Sequence, residues 1–160
     1  MTNFTFTAHD ETATARLGAA LADALPAGTV VALHGTLGAG KTRLVQAVAR
    51  AEGVADGRVV SPTFVLIQEY TEGRRPVYHF DVYRLKDVDE LEQLGAEEYF
   101  YGEGLVFVEW AERIDEALPP ERVDVEIEIT GEHERQFTIT GQGDVYEAAV
   151  ERCRQQLEAQ

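Results

Sequence analysis

Cysteine, lysine and asparagine are nearly missing from this sequence, and each shortage narrows what the chain can do. A single cysteine, Cys153, excludes an internal disulfide and a zinc cluster built from cysteines. A single asparagine, Asn3, excludes the Asn-Lys-x-Asp motif with which the common GTPases recognise guanine. No glycine has an aspartate three positions before it, so the Asp-x-x-Gly element of those GTPases is missing as well. Basic residues are scarce: 14 Lys and Arg stand against 29 Asp and Glu, a formal net charge of −15. That balance argues against a free-standing nucleic-acid binder, which needs clustered Lys and Arg. It describes a strongly solvated surface. No apolar run approaches the roughly 20 residues of a membrane-spanning helix. Met1 to Phe6 lacks the basic-then-apolar pattern of a secretion signal. Together these shortages predict a cytosolic (cytoplasmic) protein that needs no membrane.

What is present is a chain of 160 residues, 44% of them hydrophobic, enough for one domain over residues 1–160 with a substantial core. Phe4, Phe6 and Ala8 alternate with polar residues and predict a half-buried strand. Asp10 to Leu25 reads as a helix capped by Asp10, with Ala13, Leu17, Leu21 and Leu25 on one face. Thr29 to His34 is a β-branched apolar run, as expected of a buried strand. Lys41 to Glu52 is helical, closed by Gly53. Val59 to Tyr70, a β-rich run interrupted at Ser61-Pro62-Thr63, and Val77 to Asp81 are joined by a turn at 71–76, hence a hairpin. Val88 to Tyr101 predicts a helix with a break at Gly95; Leu105 to Val108 another buried strand; Ala111 to Leu118 a short helix. Val123, Val125, Ile127 and Ile129 alternate with polar residues and predict a strand that pairs with Gln136 to Thr140. Asp144 to Leu157 reads as a polar helix carrying an incidental Cys153. The pattern is α/β with parallel and antiparallel strands.

Between a predicted strand and a predicted helix lies Gly35-Thr36-Leu37-Gly38-Ala39-Gly40-Lys41-Thr42, which meets the pattern G-x-x-x-x-G-K-[ST]. Glycines at 35, 38 and 40 allow backbone conformations that a Cβ would block. Successive N–H groups can then face inward as an anion nest, with the positive end of the following helix dipole aimed at the same place. Lys41 can reach the β- and γ-phosphates of a nucleotide, and the Thr42 hydroxyl can coordinate Mg²⁺. Lys41 and Lys86 are the two lysines of the chain, and one of them stands where the motif needs it. With guanine motifs excluded, ATP is the expected nucleotide.

Such a site also needs an acid near the metal, commonly at the end of a buried strand. Glu109 follows Leu105-Val106-Phe107-Val108, and Asp81 closes Val77-Tyr78-His79-Phe80. Taken alone, either could be an acid exposed at a strand end or paired with Arg84 or Arg113. Thr63 lies in the stiff segment Ser61-Pro62-Thr63 and can sense a γ-phosphate or be an ordinary turn residue. His79 reads as a hydrogen-bonded structural histidine, and Trp110 and Tyr83 as aromatics lining a nucleotide, a partner or the core. Besides an ATPase, a small-molecule kinase and a nucleotide-dependent binding module remain open on these residues. Arginine pairs only at Arg74-Arg75, so an arginine-rich kinase lid finds no support.

The glycine-rich loop, Ser61-Pro62-Thr63-Phe64, His79-Phe80-Asp81-Val82-Tyr83-Arg84-Leu85 and Val108-Glu109-Trp110 occur in the order and spacing of one family. From Phe4 to about Thr140 the chain resembles the bacterial TsaE (YjeE) proteins of tRNA threonylcarbamoyladenosine biosynthesis. The resemblance implies a compact P-loop NTPase-like three-layer sandwich that binds ATP with Mg²⁺ and hydrolyses it weakly alone. It implies TsaB and TsaD as partners. That assembly transfers a threonylcarbamoyl group to the adenosine beside the anticodon, so tRNA is met through the complex. Carried over, Thr36, Leu37, Gly38, Ala39, Gly40, Lys41, Thr42, Thr63 and Trp110 would contact the nucleotide. Lys41, Asp81 and Glu109 form the expected catalytic set, and Thr42 and Glu109 the expected metal ligands. The sequence does not divide metal contact and water orientation between the two acids. Ala111 departs from the family, many of whose members have proline there, and the segment after Gly141 carries no signature.

Overall fold

The computed structural model describes residues 1–36, 40–55, 67–83 and 85–160. Among these residues seven strands form one sheet: β1 (Thr2–Ala8), β2 (Val30–Gly35), β3 (Ile67–Tyr70), β4 (Val77–Asp81), β5 (Leu105–Glu109), β6 (Arg122–Ile129) and β7 (Arg135–Gln142). Their order is β1-β7-β6-β2-β5-β4-β3. Strands β4, β5, β2 and β6 are mutually parallel in sequence of pairing, whereas β1-β7, β7-β6 and β3-β4 pair antiparallel. The expected mixed α/β sheet is therefore present. The hairpin forms too, in the register Ile67↔Phe80. Of the run predicted from Val59, residues 59–66 lie outside the described part, as do Leu37 to Ala39 and Arg84.

Both faces of the central strands are covered. Helices α1 (Glu11–Ala24), α2 (Lys41–Glu52) and α5 (Asp144–Glu158) lie on one face, over Val31, Leu33, Leu105 and Phe107. Helices α3 (Val88–Gln93) and α4 (Ala96–Phe100), with a 3-10 helix over Ala111–Ala117, cover the alternate residues Val30, Ala32, Val106 and Val108. Two-sided burial is the reason β2 and β5 read as unbroken apolar runs. Strand β6 differs: Val123, Val125 and Ile127 are buried, while Glu126 and Glu128 are exposed. Among the described residues no helix packs an apolar face over its second side, so the sequence alternates.

Local chemistry sets the helix ends. Asp10 and Asp87 cap α1 and α3 through their carboxylates, accepting from Ala13 and Glu90 N–H. The predicted break at Gly95 separates α3 from α4, with Gly95 at φ 74°. The segment after β5 is a 3-10 helix rather than an α-helix, with Ile114 out of helical geometry at φ −131°. Helices α1 and α2 approach so closely at Gly18 that a Cβ there would lie 2.3 Å from that of Ala47. Glu52, fully buried at the end of α2, accepts from Arg75 Nε at 2.9 Å; Arg75 also donates to the Leu25 and Ala22 carbonyls. The β3–β4 turn is thereby clamped to the ends of α1 and α2. Helix α5 is less polar than its composition suggests. Ala149, Val150, Cys153 and Leu157 form a buried stripe, so Cys153 is a core residue and not an incidental one. Burial pushes its thiol up to about 12.

Candidate functional site

Parallel pairing brings the carboxyl ends of β2, β5 and β4 to one edge of the sheet, the place where open α/β sheets take ligands. Glu109 ends β5 level with Leu33 of β2 and with Asp81 of β4. Alternation puts Glu109 on the face of Leu105 and Phe107, and puts His79 and Asp81 on the face of Val77, which is the face covered by α2. The two acids therefore point at the first turn of α2.

That turn is unusual in its cap. Gly40 takes the N-cap position at φ 107°, a left-handed conformation that explains a glycine there although a Cβ would meet nothing within 4 Å. Unlike α1 and α3, α2 has no side-chain cap. Among the described residues no side chain caps its first N–H groups, and a helix start of this kind can accept an external anion.

Lys41 opens α2 and is 4% exposed. Its Nζ donates to the Gly35 carbonyl at 2.9 Å and sits 3.9 Å from the centroid of the Trp110 ring. Among the described residues no carboxylate lies within ion-pair distance of this ammonium. Burial lowers its pKa from the ordinary lysine value, against the opposing pull of Glu109, Glu112 and Asp81. Trp110 is held in the left-handed region, φ 62°, at a cost on the order of 1–3 kcal/mol. Tyr83 packs on it with ring centroids 4.9 Å apart, and the Arg113 guanidinium lies over Tyr83.

Thr42 donates to Glu109 Oε2 at 3.3 Å, and His79 Nε2 approaches the same oxygen at 2.5 Å. Glu109 is 5% exposed and His79 fully buried. Asp81 accepts from the Tyr83 N–H at 2.9 Å; burial raises its carboxyl pKa above the usual range, with that hydrogen bond working the other way. Among the described residues, no three His, Cys, Asp or Glu side chains form a metal cage. Thr42 and the two acids instead offer the few hard oxygens that suit Mg²⁺ bound partly through phosphates.

The structure thus gathers Gly40, Lys41, Thr42, Asp81, Glu109 and Trp110 at one sheet edge, with Thr36 exposed just beyond β2. Leu37, Gly38, Ala39 and Thr63 lie outside the described residues. The short contact that ties His79 to Glu109 was not visible in the sequence, because it crosses between strands whose adjacency no local pattern states. A cavity of about 450 Å³ opens beside Gly40, walled by Asp10, Thr14, Arg43, His133 and Phe137. Nearby, His34 at the end of β2 contacts Asp124 on β6 at 3.1 Å and Glu112 at 3.4 Å. No described helix is long and apolar enough to cross a membrane.

Comparison with known proteins agrees with this fold. The family model described as "Threonylcarbamoyl adenosine biosynthesis protein TsaE" matches residues 8–137. The tRNA threonylcarbamoyladenosine biosynthesis protein TsaE of Bacillus subtilis is 48% identical over 125 residues, 78% of this chain and 77% of its own. That of Synechocystis is 49% identical over 109 residues, 66% of this chain and 68% of its own. The crystal structure of Bacillus subtilis YdiB superposes with a TM-score of 0.80 at 35% identity, covering 96% of this chain and 95% of that one. A match over most of the length, in sequence and in fold, means that this chain belongs to the TsaE family.

Proposed function

We propose that the protein binds and hydrolyses Mg-ATP in support of tRNA threonylcarbamoyladenosine biosynthesis, working with TsaB and TsaD homologues in the cytoplasm. The observation that carries this reading is the juxtaposition at α2: an uncapped helix start, a nearly buried Lys41 with no acidic partner in reach among the described residues, and Thr42 beside Glu109. A lone buried ammonium is costly unless an anion joins it, and a polyphosphate would supply that anion. The amides of the first α2 turn would hold the β-phosphate, and Lys41 would exchange its Gly35 and Trp110 contacts for phosphate oxygens. Thr42 and Glu109 would hold Mg²⁺, whose charge would offset that on the transferring phosphoryl group. Asp81, whose burial raises its affinity for a proton, suits the orientation of an attacking water. The cavity beside Gly40 has the size of a small-molecule pocket and would take the nucleoside half. The role in tRNA modification rests on the family and on the names of its relatives.

Chemistry of this kind is electrostatic positioning, and a group supplied by a partner adds much to it: an arginine donated in trans is worth about 10³–10⁵ in rate. The test is steady-state ATP hydrolysis by the protein alone and with TsaB and TsaD homologues present. Slow turnover alone and a clear rise with both partners is the expected result. The same rate in both conditions contradicts the partnership, and no turnover in either contradicts the hydrolase.

A further inference from the structure

We infer that His79 is a positioning residue, which sets the orientation of the Glu109 carboxylate toward the divalent cation. The inference rests on the Mg-ATP reading above and adds to it a residue that touches neither nucleotide nor metal. Glu109 ends its strand, and carboxylate torsions are soft; something must select one orientation. Thr42, at 3.3 Å, makes a long contact. His79, at 2.5 Å, makes a short one to the same oxygen, and its own ring is immobilised by complete burial on β4. Both donors share Oε2, so the plane of the carboxylate is fixed and Oε1 accepts from neither of them.

The other ring nitrogen supports the assignment. Among the described residues, Nδ1 of His79 is buried without a hydrogen-bond partner. A buried N–H with no acceptor is rare, so the hydrogen-bond network assigns the ring proton to Nε2, where it is donated to Glu109. A side chain needed here only to fill space would be better apolar, since a half-satisfied imidazole weakens the core it fills. Its directed half is the bond to Glu109. Register explains why the pair can form. Asp81 and Glu109 stand side by side, and His79 lies two residues back on the same face, beside Phe107. Ligating carboxylates are characteristically held in this way by a second group, whose loss costs about 10–100-fold in metal affinity or activity.

The test is calorimetric titration of the full-length protein with ADP, in magnesium and in EDTA, for the wild type, His79→Leu and His79→Gln. The readout is the factor by which magnesium strengthens ADP binding. In His79→Leu that factor should fall by about tenfold or more, with affinity in EDTA within about twofold of the wild type. His79→Gln, whose amide N–H can reach the same oxygen, should recover part of it. An unchanged factor in His79→Leu, or equal losses in magnesium and EDTA, overturns the inference while leaving the nucleotide site intact. Should His79→Leu not fold, the His79 imidazole ¹⁵N resonances of the wild type decide: they should shift on adding ADP with magnesium but not ADP in EDTA, and an identical response to both overturns it. A wild type that binds no ADP in either condition strikes the Mg-ATP reading itself.

Discussion

The two halves of the sheet are built to different rules. In the half formed by β2, β5 and β4, strands run parallel and helices cover both faces, so consecutive residues such as Phe107 and Val108 are both fully buried. In the half formed by β6, β7 and β1, strands are antiparallel and one face is left to solvent, so Ile127 is buried and its neighbour Glu126 is exposed. Both halves have a core, yet the acids that face α2 belong to the first. Parallel strands all deliver their carboxyl ends to the same edge, so a two-sided core doubles as a device for gathering Asp81 and Glu109 under Lys41 and Thr42. An antiparallel sheet splits its strand ends between two edges. Its contribution is support, together with Phe137 in the wall of the cavity beside Gly40.

The sharpest way to break this division is to compare acids. Glu109→Gln should lower ATP hydrolysis by about 10²–10³-fold, the loss typical of removing one preorganised charge-stabilising group. Glu126→Gln, on the open face, should leave it unchanged; comparable losses in both variants would erase the distinction. Stability offers the next largest contrast, read by urea denaturation. Phe107→Ala should cost about 3–5 kcal/mol and the adjacent Val108→Ala about 1.5–3 kcal/mol. On β6, Ile127→Ala should cost about 2–5 kcal/mol, but Glu126→Ala should stay within about 0.5 kcal/mol of the wild type.

The smallest effect belongs to the seam. His34 joins β2 to Asp124 of β6, and that hydrogen bond, with the charges of Asp124 and Glu112, raises its pKa above the ordinary 6.5 despite burial. The contribution is fully present below the unfolded pKa and is lost as pH rises through the folded value. Burial opposes the shift at Asp124, but hydrogen bonds from His34, Arg122 and Gln142 and the charge of Arg122 lower its pKa from 3.8, so its own contribution is lost only in acid. Urea midpoints measured from about pH 6 upward should therefore decline in the wild type more than in His34→Gln. Parallel pH profiles would show that the seam carries no such linkage.

Most of the chain was legible because its signals are local. Two-sided burial writes unbroken apolar runs, one-sided burial writes alternation, and Asp10, Gly53 and Gly95 mark helix ends by their own chemistry. The positions of Lys41, Thr42, Asp81, Glu109 and Trp110 were legible for the same reason, since each stands at an element end. What escaped depends on neighbours distant in sequence. The bond from His79 to Glu109 requires β4 beside β5, and the contact of His34 with Asp124 requires β6 beside β2. Arg75 read as a turn residue, whereas it clamps that turn to Glu52 and two helix-end carbonyls. Cys153 was misread for a different reason. The composition of α5 is polar, but the spacing of Ala149, Val150, Cys153 and Leu157 already marks a buried face.

A nucleotide held by the edge where β2, β5 and β4 end must displace Lys41 from the face of Trp110, the single tryptophan of the chain. The most direct measurement is titration of the full-length protein with ATP at saturating magnesium, followed by calorimetry and by Trp110 fluorescence, beside Lys41→Ala. One saturable event seen by both methods in the wild type, and absent from the variant, is the predicted result. Neither heat nor a change of fluorescence in the wild type, or an identical isotherm in Lys41→Ala, would contradict it.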